Sequence, residues 1–301
     1  MSAGWNRAAR PALKGVMKSG RKATGRRDGD QGGGAKGISK REIEDVEELS
    51  TPRTPVIYEV VRRQGDEEMA RPAVSLWWSG VAGGLSISFS LLAQAILRTH
   101  LPDMPWRPLV ASFGYSVGFL IVVLGRQQLF TESTITVVLP VLKELSVANV
   151  ARMARLWAIV LAANLAGTLF AAVFCNYFPV MPPELRHEML TISRDLVELT
   201  WPEMFFRAVS SGFLIAAMVW MMPAAETGKF AVITMMTWLI AVGGFTHVVA
   251  GSMESYLLVL AGDWEWWRML GQFLAPVLLG NIVGGTALFA VISYAQVMEE
   301  I

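Results

Sequence analysis

A chain of 301 residues with 53% hydrophobic and 17% charged residues, at a mean hydropathy of +0.43, is too apolar for an ordinary soluble domain of this size, and membrane residence is the simplest cause. The formal net charge of +1 hides an asymmetry, because 15 of the 26 Lys and Arg precede Val74. A lone cysteine, Cys175, excludes an intramolecular disulfide and a cysteine metal cluster, and no phosphate loop, zinc-ligand spacing or hydrolase elbow supports an ATP-driven pump or an enzyme.

In chain order, residues 1–73 read as a basic, mostly disordered cytoplasmic tail containing Gly32-Gly33-Gly34. The first 30 residues hold no apolar stretch followed by a small-residue cleavage site, so no cleaved signal is expected. Residues 74–294 then carry the membrane domain, and 295–301 form a short cytoplasmic end. About 20 apolar residues make one helical crossing, and residues 74–97, 156–178, 208–222 with their flanks, and 269–294 fit that length. All four are rich in Gly, Ala and Ser, which lets helix backbones approach closely in lipid.

Residues 109–142 and 230–262 do not fit. Each runs to over 30 residues, about 50 Å as straight helix, too long for one crossing and too short for two plus a turn. Polar interruptions fall near their middles, Gly125 to Glu132 in the first and Gly243-Gly244-Phe245-Thr246-His247 in the second. Both read as broken membrane helices, with long, tilted, kinked helices as the alternative. Broken backbone at membrane depth is tolerated only where protein buries it or it lines a water-filled cavity. Loop charge sets the orientation: with Lys143, Arg152, Arg155 and Lys229, 19 cations share the tail's side, against five (Arg98, Arg107, Arg186, Arg194, Arg268) opposite. Six spans with both termini in the cytoplasm follow from the positive-inside rule. The tryptophans at span ends, Trp77, Trp78, Trp106, Trp201 and the Trp264 to Trp267 cluster, read as an interface belt against membrane lipid.

The halves repeat a pattern. Phe130-Thr131 and Phe245-Thr246 lie at the breaks, 115 residues apart, and Asn164-x-x-Gly167 and Asn281-x-x-Gly284 lie in the following spans, 117 apart. Three spans per half force the halves to insert in opposite senses, an inverted repeat whose substrate site is expected near the midplane.

Within this frame His247 is the leading site residue, either a titratable group facing a cavity or a neutral ring bridging helices. The hydroxyls of Thr131 and Thr246 serve either an anion or the broken backbone. Tyr115, Phe119, Leu129, Phe130 and Ile240 fall within two turns of the breaks, as apolar constrictions or as core. Asn164 and Asn281 are expected to cross-link helices, and Arg126 to pair locally with Glu132.

The segment Gly125 to Glu132, Lys229, Gly244-Phe245-Thr246-His247 and the two Asn-x-x-Gly spans together resemble the formate/nitrite transporter family, and within it the YfdC-like branch with a basic N-terminal extension. The resemblance covers roughly residues 74–294. It implies an aquaporin-like fold, a pore in each protomer of a pentamer, and a bacterial inner-membrane transporter of small monovalent anions such as formate, nitrite or hydrosulfide, without cofactor, metal or nucleic-acid partner. It assigns Leu129, Phe130, Thr131 and His247 to the pathway and Tyr115, Phe119 and Ile240 to constrictions. The chain departs from the family's pattern at Thr246, where Glu is common, at Gly251 and Gly212, where Asn is, and at Glu132, an acid after the loop threonine. A channel for a small neutral solute and a non-transporting membrane scaffold are the competing readings.

Overall fold

The computed structural model describes residues 52–301, which fold into helices and no strand. Among the described residues five helices are long and apolar enough to cross a membrane: α2 (Ala73–His100), α3 (Arg107–Leu124), α6 (Val147–Tyr177), α8 (Trp201–Met221) and α11 (Trp266–Val297). The first broken segment divides unequally, into α3 before the break and α4 (Phe130–Thr136) running on into α5 (Val138–Lys143) after it. The second divides evenly into α9 (Lys229–Val242) and α10 (Val248–Ala261), each of 14 residues, about 21 Å and short of a bilayer. The span expected at residues 230–262 is therefore divided between two half-helices.

Small residues fix how the long helices pair. Along α2 and α6, a Cβ on Gly84 or Gly167 would overlap backbone of the partner helix, at Asn164 and Val81 respectively. Along α8 and α11 the same relation recurs, Gly212 against Asn281 and Gly284 against Val209. These positions match at offsets of 128 and 117 residues, so the repeat extends to the helix contacts. In lipid, association depends on such close packing, since the tails are as apolar as the helices themselves. The outward faces stay apolar, as in the row of Phe170 and Phe174 on α6 and Phe178 at its C-cap, where stacked rings are 5.4–6.2 Å apart.

At residues 54–70, within the stretch expected to be disordered tail, the chain forms a helix, α1 (Thr54–Ala70). Tyr58, Val61, Gly65 and Met69 recur every three or four residues on one buried face. Gly65 sits where a Cβ would overlap the Thr136 carbonyl of α4, and the Thr136 hydroxyl donates to Glu68 Oε2 at 2.6 Å. Hydrogen bonds from Arg62, and then Arg63, hold the Glu59 carboxyl on this helix down at about 2. A polar composition concealed an amphipathic stripe. The expected tail before residue 52 lies outside the described residues.

A further helix, α7 (Pro183–Arg194), lies between α6 and α8. Its Glu188 pairs with Arg98 at 2.7 Å and Arg107 at 3.3 Å, and Arg194 pairs with Asp263 at 2.9 Å, which gathers onto one face three of the five cations assigned to that side. The tryptophans at span ends are exposed except Trp264, which is buried.

Replacing Gly284 by Leu is expected to push α8 from α11 and cost about 2 kcal/mol or more, read as a lower Tm in detergent. Gly228→Ala, where no atom lies within 4 Å of an added Cβ, should leave Tm unchanged.

Candidate functional site

Both breaks are built alike. At the end of α3, Gln127 N–H donates to the Val122 carbonyl and Arg126 N–H to Val123, with Arg126 at φ 51. At the end of α9, Phe245 N–H donates to Ile240 and Gly244 N–H to Ala241, with Gly244 at φ 61. Each is a helix stop closed by a left-handed residue, for which glycine is the unstrained choice. Leu129 (φ −121, ψ 128) and His247 (φ −124, ψ 127) then extend the chain and become the N-caps of α4 and α10.

The structural repeat thus pairs Leu129 with His247, 118 residues apart, and corrects the match of Phe130-Thr131 with Phe245-Thr246. The two Phe-Thr pairs fall on opposite sides of their caps. The Asn-x-x-Gly match stands, because the two asparagines do the same work.

Asn164 Oδ1 accepts from Phe130 N–H at 2.9 Å, while its Nδ2 donates to Gly80 O at 2.8 Å and Gln128 O at 2.9 Å. Asn281 Oδ1 accepts from Val248 N–H at 2.8 Å, and its Nδ2 donates to Ala208 O and Ser211 Oγ, both at 2.8 Å, and to Thr246 O at 3.3 Å. A carboxamide carries both the acceptor for the orphan N–H of a new helix and the donors for the carbonyls of a broken one. Both side chains are fully buried, where an unmatched peptide group is costly.

His247 is itself part of the second break. Its Nδ1 accepts from Ala250 N–H at 3.1 Å and its Nε2 lies 2.8 Å from Thr131 Oγ1. Because Nδ1 is an acceptor, the neutral ring carries its proton on Nε2 and donates it to Thr131. This leaves the Thr131 O–H proton with no protein acceptor among the described residues. The imidazole meets Phe119 edge-on with ring centroids 5.2 Å apart, and Phe119 in turn meets Tyr115 at 5.3 Å.

A cavity of about 160 Å³ opens on one side of this pair. Tyr115, Ile240, Thr246 and His247 line it, together with Gln94, Asp195, Arg207, Gly251, Glu254 and Phe273. Phe119, Leu129, Phe130 and Thr131 do not reach it and are buried. The Phe130 ring packs against Trp157 of α6 with centroids 5.8 Å apart. The Thr246 hydroxyl donates to Met204 O at 2.8 Å, so it ties the break to α8.

Other expectations are revised by local packing. Arg126 and Glu132 form no ion pair among the described residues; the left-handed backbone leaves Arg126 exposed, and Glu132 Oε1 is buried without a partner. Gly212 is required by the Asn281 backbone, and Gly251 by the Phe273 ring that covers it. Asp195 and Gln94 belong to the site although the sequence offers no signal for them, since they lie in a helix-end turn and a distant span.

The family model described as formate/nitrite transporter matches residues 55–295. The chain belongs to the formate/nitrite transporter family. Its relatives include the inner membrane protein YfdC of Escherichia coli, 44% identical over 260 residues that cover 86% of this chain and 84% of that one. The formate channel FocA of Haemophilus influenzae is 27% identical over 241 residues, covering 71% and 84%. Among solved structures, a pentameric formate channel with formate bound aligns at TM-score 0.63 and 22% identity over 75% of this chain and 98% of that one. An FNT family ion channel aligns at 0.70 and 18% over 80% and 98%. The fold is that of these channels, and the match from residue 55 takes in α1.

Asn281→Leu keeps the volume and strands a buried N–H and several carbonyls, so a loss of about 3 kcal/mol or more is expected, measured as a fall in Tm or loss of the folded protein in size exclusion. Arg126→Gly relieves a left-handed arginine and should raise stability by up to about 1 kcal/mol, seen as a higher Tm.

Proposed function

We propose that the protein moves a small monovalent anion of a weak acid, of the formate or nitrite class, across a bacterial inner membrane through the cavity and the His247–Thr131 contact. The observation that carries this reading is that contact itself. Two half-helices begin where His247 and Thr131 meet, so their positive ends face one place, and Thr131 keeps a free O–H to offer an anion. Tyr115 and Ile240 line the cavity beside His247, and the buried Phe119 ring meets the imidazole edge-on. A bare anion is costly to desolvate there. The species that passes is the neutral acid or a proton–anion pair, hence transport linked to protons.

The names of the relatives support the substrate class, and the aligned pentameric channel with its bound formate supports a homopentamer in membrane lipid with one pathway per protomer. The name of the Escherichia coli relative supports the inner membrane, and the loop charges favour both termini in the cytoplasm. Binding and conduction of a small ion require no covalent chemistry from the chain.

Uptake of labelled formate into proteoliposomes tests this. Wild type should be faster at acidic than at alkaline pH, and His247→Ala, which removes both the cap and the donor to Thr131, should lower flux roughly tenfold, the effect of about 1.4 kcal/mol at the barrier. Unchanged flux and pH dependence in His247→Ala would overturn the reading.

A further inference from the structure

Resting on the transport reading above, we propose that Glu254 is the group that hands a proton to the incoming anion in the cavity, ahead of His247. The starting point is that His247 has no nitrogen left for this task. Its Nδ1 holds the Ala250 N–H and its Nε2 faces Thr131, so the ring is committed to the break on both sides. An ionisable group that donates to substrate must therefore lie elsewhere on the cavity wall.

Glu254 lies there. It stands seven residues after His247 on α10, two turns along the same helix face and about 10 Å further out along the axis, and it lines the same cavity. Gly251, four residues after His247, lies on that face between them under the Phe273 ring, and both line the cavity with His247 and Glu254. Glu254 takes part in no ion pair among the described residues. Beside it, Tyr115 is 5% exposed, lines the cavity, and its hydroxyl has no hydrogen-bond partner among the described residues. A phenol hydroxyl that opens to a cavity is available to bond water or a ligand there.

The other charged groups on the cavity fit the same step. Arg207 supplies the positive charge that draws an anion in, and its one hydrogen bond among the described residues is a long one, to Gly244 O at 3.4 Å. Asp195 faces the cavity from the turn after α7, within the field of Arg98 and Glu198. Two carboxyls on one small cavity disfavour a second negative charge, which suits a carboxylic acid that can give up its proton to an acceptor nearby. In the step itself the O–H bond of the Glu254 carboxylic acid breaks and a new O–H bond forms on an oxygen of the substrate anion. The neutral acid moves on past His247, and the Glu254 carboxylate takes a proton from hydronium in the water-filled cavity mouth.

The test is labelled formate flux into proteoliposomes as a function of pH, for wild type, Glu254→Gln and Glu254→Asp, against protein-free vesicles. Free neutral formic acid becomes roughly tenfold scarcer with each pH unit above its pKa. Wild type, supplied with protons by Glu254, should lose flux less steeply than that. Glu254→Gln should fall about tenfold or more near neutral pH and follow the steep slope of free acid. Glu254→Asp should keep the shallow slope with a displaced midpoint, which a purely structural role would not predict. If Glu254→Gln keeps the rate and slope of wild type, or if wild type itself follows the steep slope, the proposal is overturned while the transport reading stands. If wild-type vesicles take up no more formate than protein-free ones, the transport reading falls and the proposal with it.

Discussion

Two buried asparagines hold the structure at its weakest points. A helix cannot break inside a membrane unless the freed N–H and C=O groups find partners, and Asn164 and Asn281 each supply an acceptor to the start of a half-helix and donors to the carbonyls around the break. Each also bonds a carbonyl of the neighbouring long helix, Gly80 or Ala208. That last bond needs backbones close enough for a short side chain to span them, which explains the glycines at 84, 167, 212 and 284. The close packing and the broken helices are thus one constraint expressed twice.

The arrangement has a consequence for His247. Its equivalent in the first half, Leu129, caps its half-helix without a side-chain bond, whereas His247 accepts Ala250 N–H itself. A histidine at this point is a structural element before it is anything else, and its contact with Thr131 ties the two halves together. Glu254 and Asp195 line the cavity, whereas Glu132 lies buried on α4; carboxylic acids in such a place fit the proposed passage of a weak acid in neutral form.

Much of this was legible in the residue order. Segment lengths together with the polar interruptions exposed the breaks at Gly125 and Gly243, and the Asn-x-x-Gly pairs marked the clamps, because a polar residue beside glycine in an apolar span has few uses other than bonding across a close contact. The register of the repeat was not legible. Phe130-Thr131 and Phe245-Thr246 look alike as letters, yet the caps that fix equivalence are Leu129 and His247, which share no chemistry and are recognised only by backbone angles. Helix α1 was hidden because its buried stripe, Tyr58, Val61, Gly65 and Met69, is outnumbered by charges, four arginine and acid side chains of which bond one another. Asp195 and Gln94 reach the cavity from positions remote in sequence, which a reading of local pattern cannot anticipate.

The central claim is that the substrate crosses as a neutral species, so that its charge never faces the apolar girdle around His247. Counting protons and formate together in the same proteoliposomes, with the membrane potential set by potassium and valinomycin, tests it most directly. The account predicts one proton taken up with each formate and a flux that does not respond to the potential. Formate uptake that follows the potential, with no accompanying proton, would contradict it.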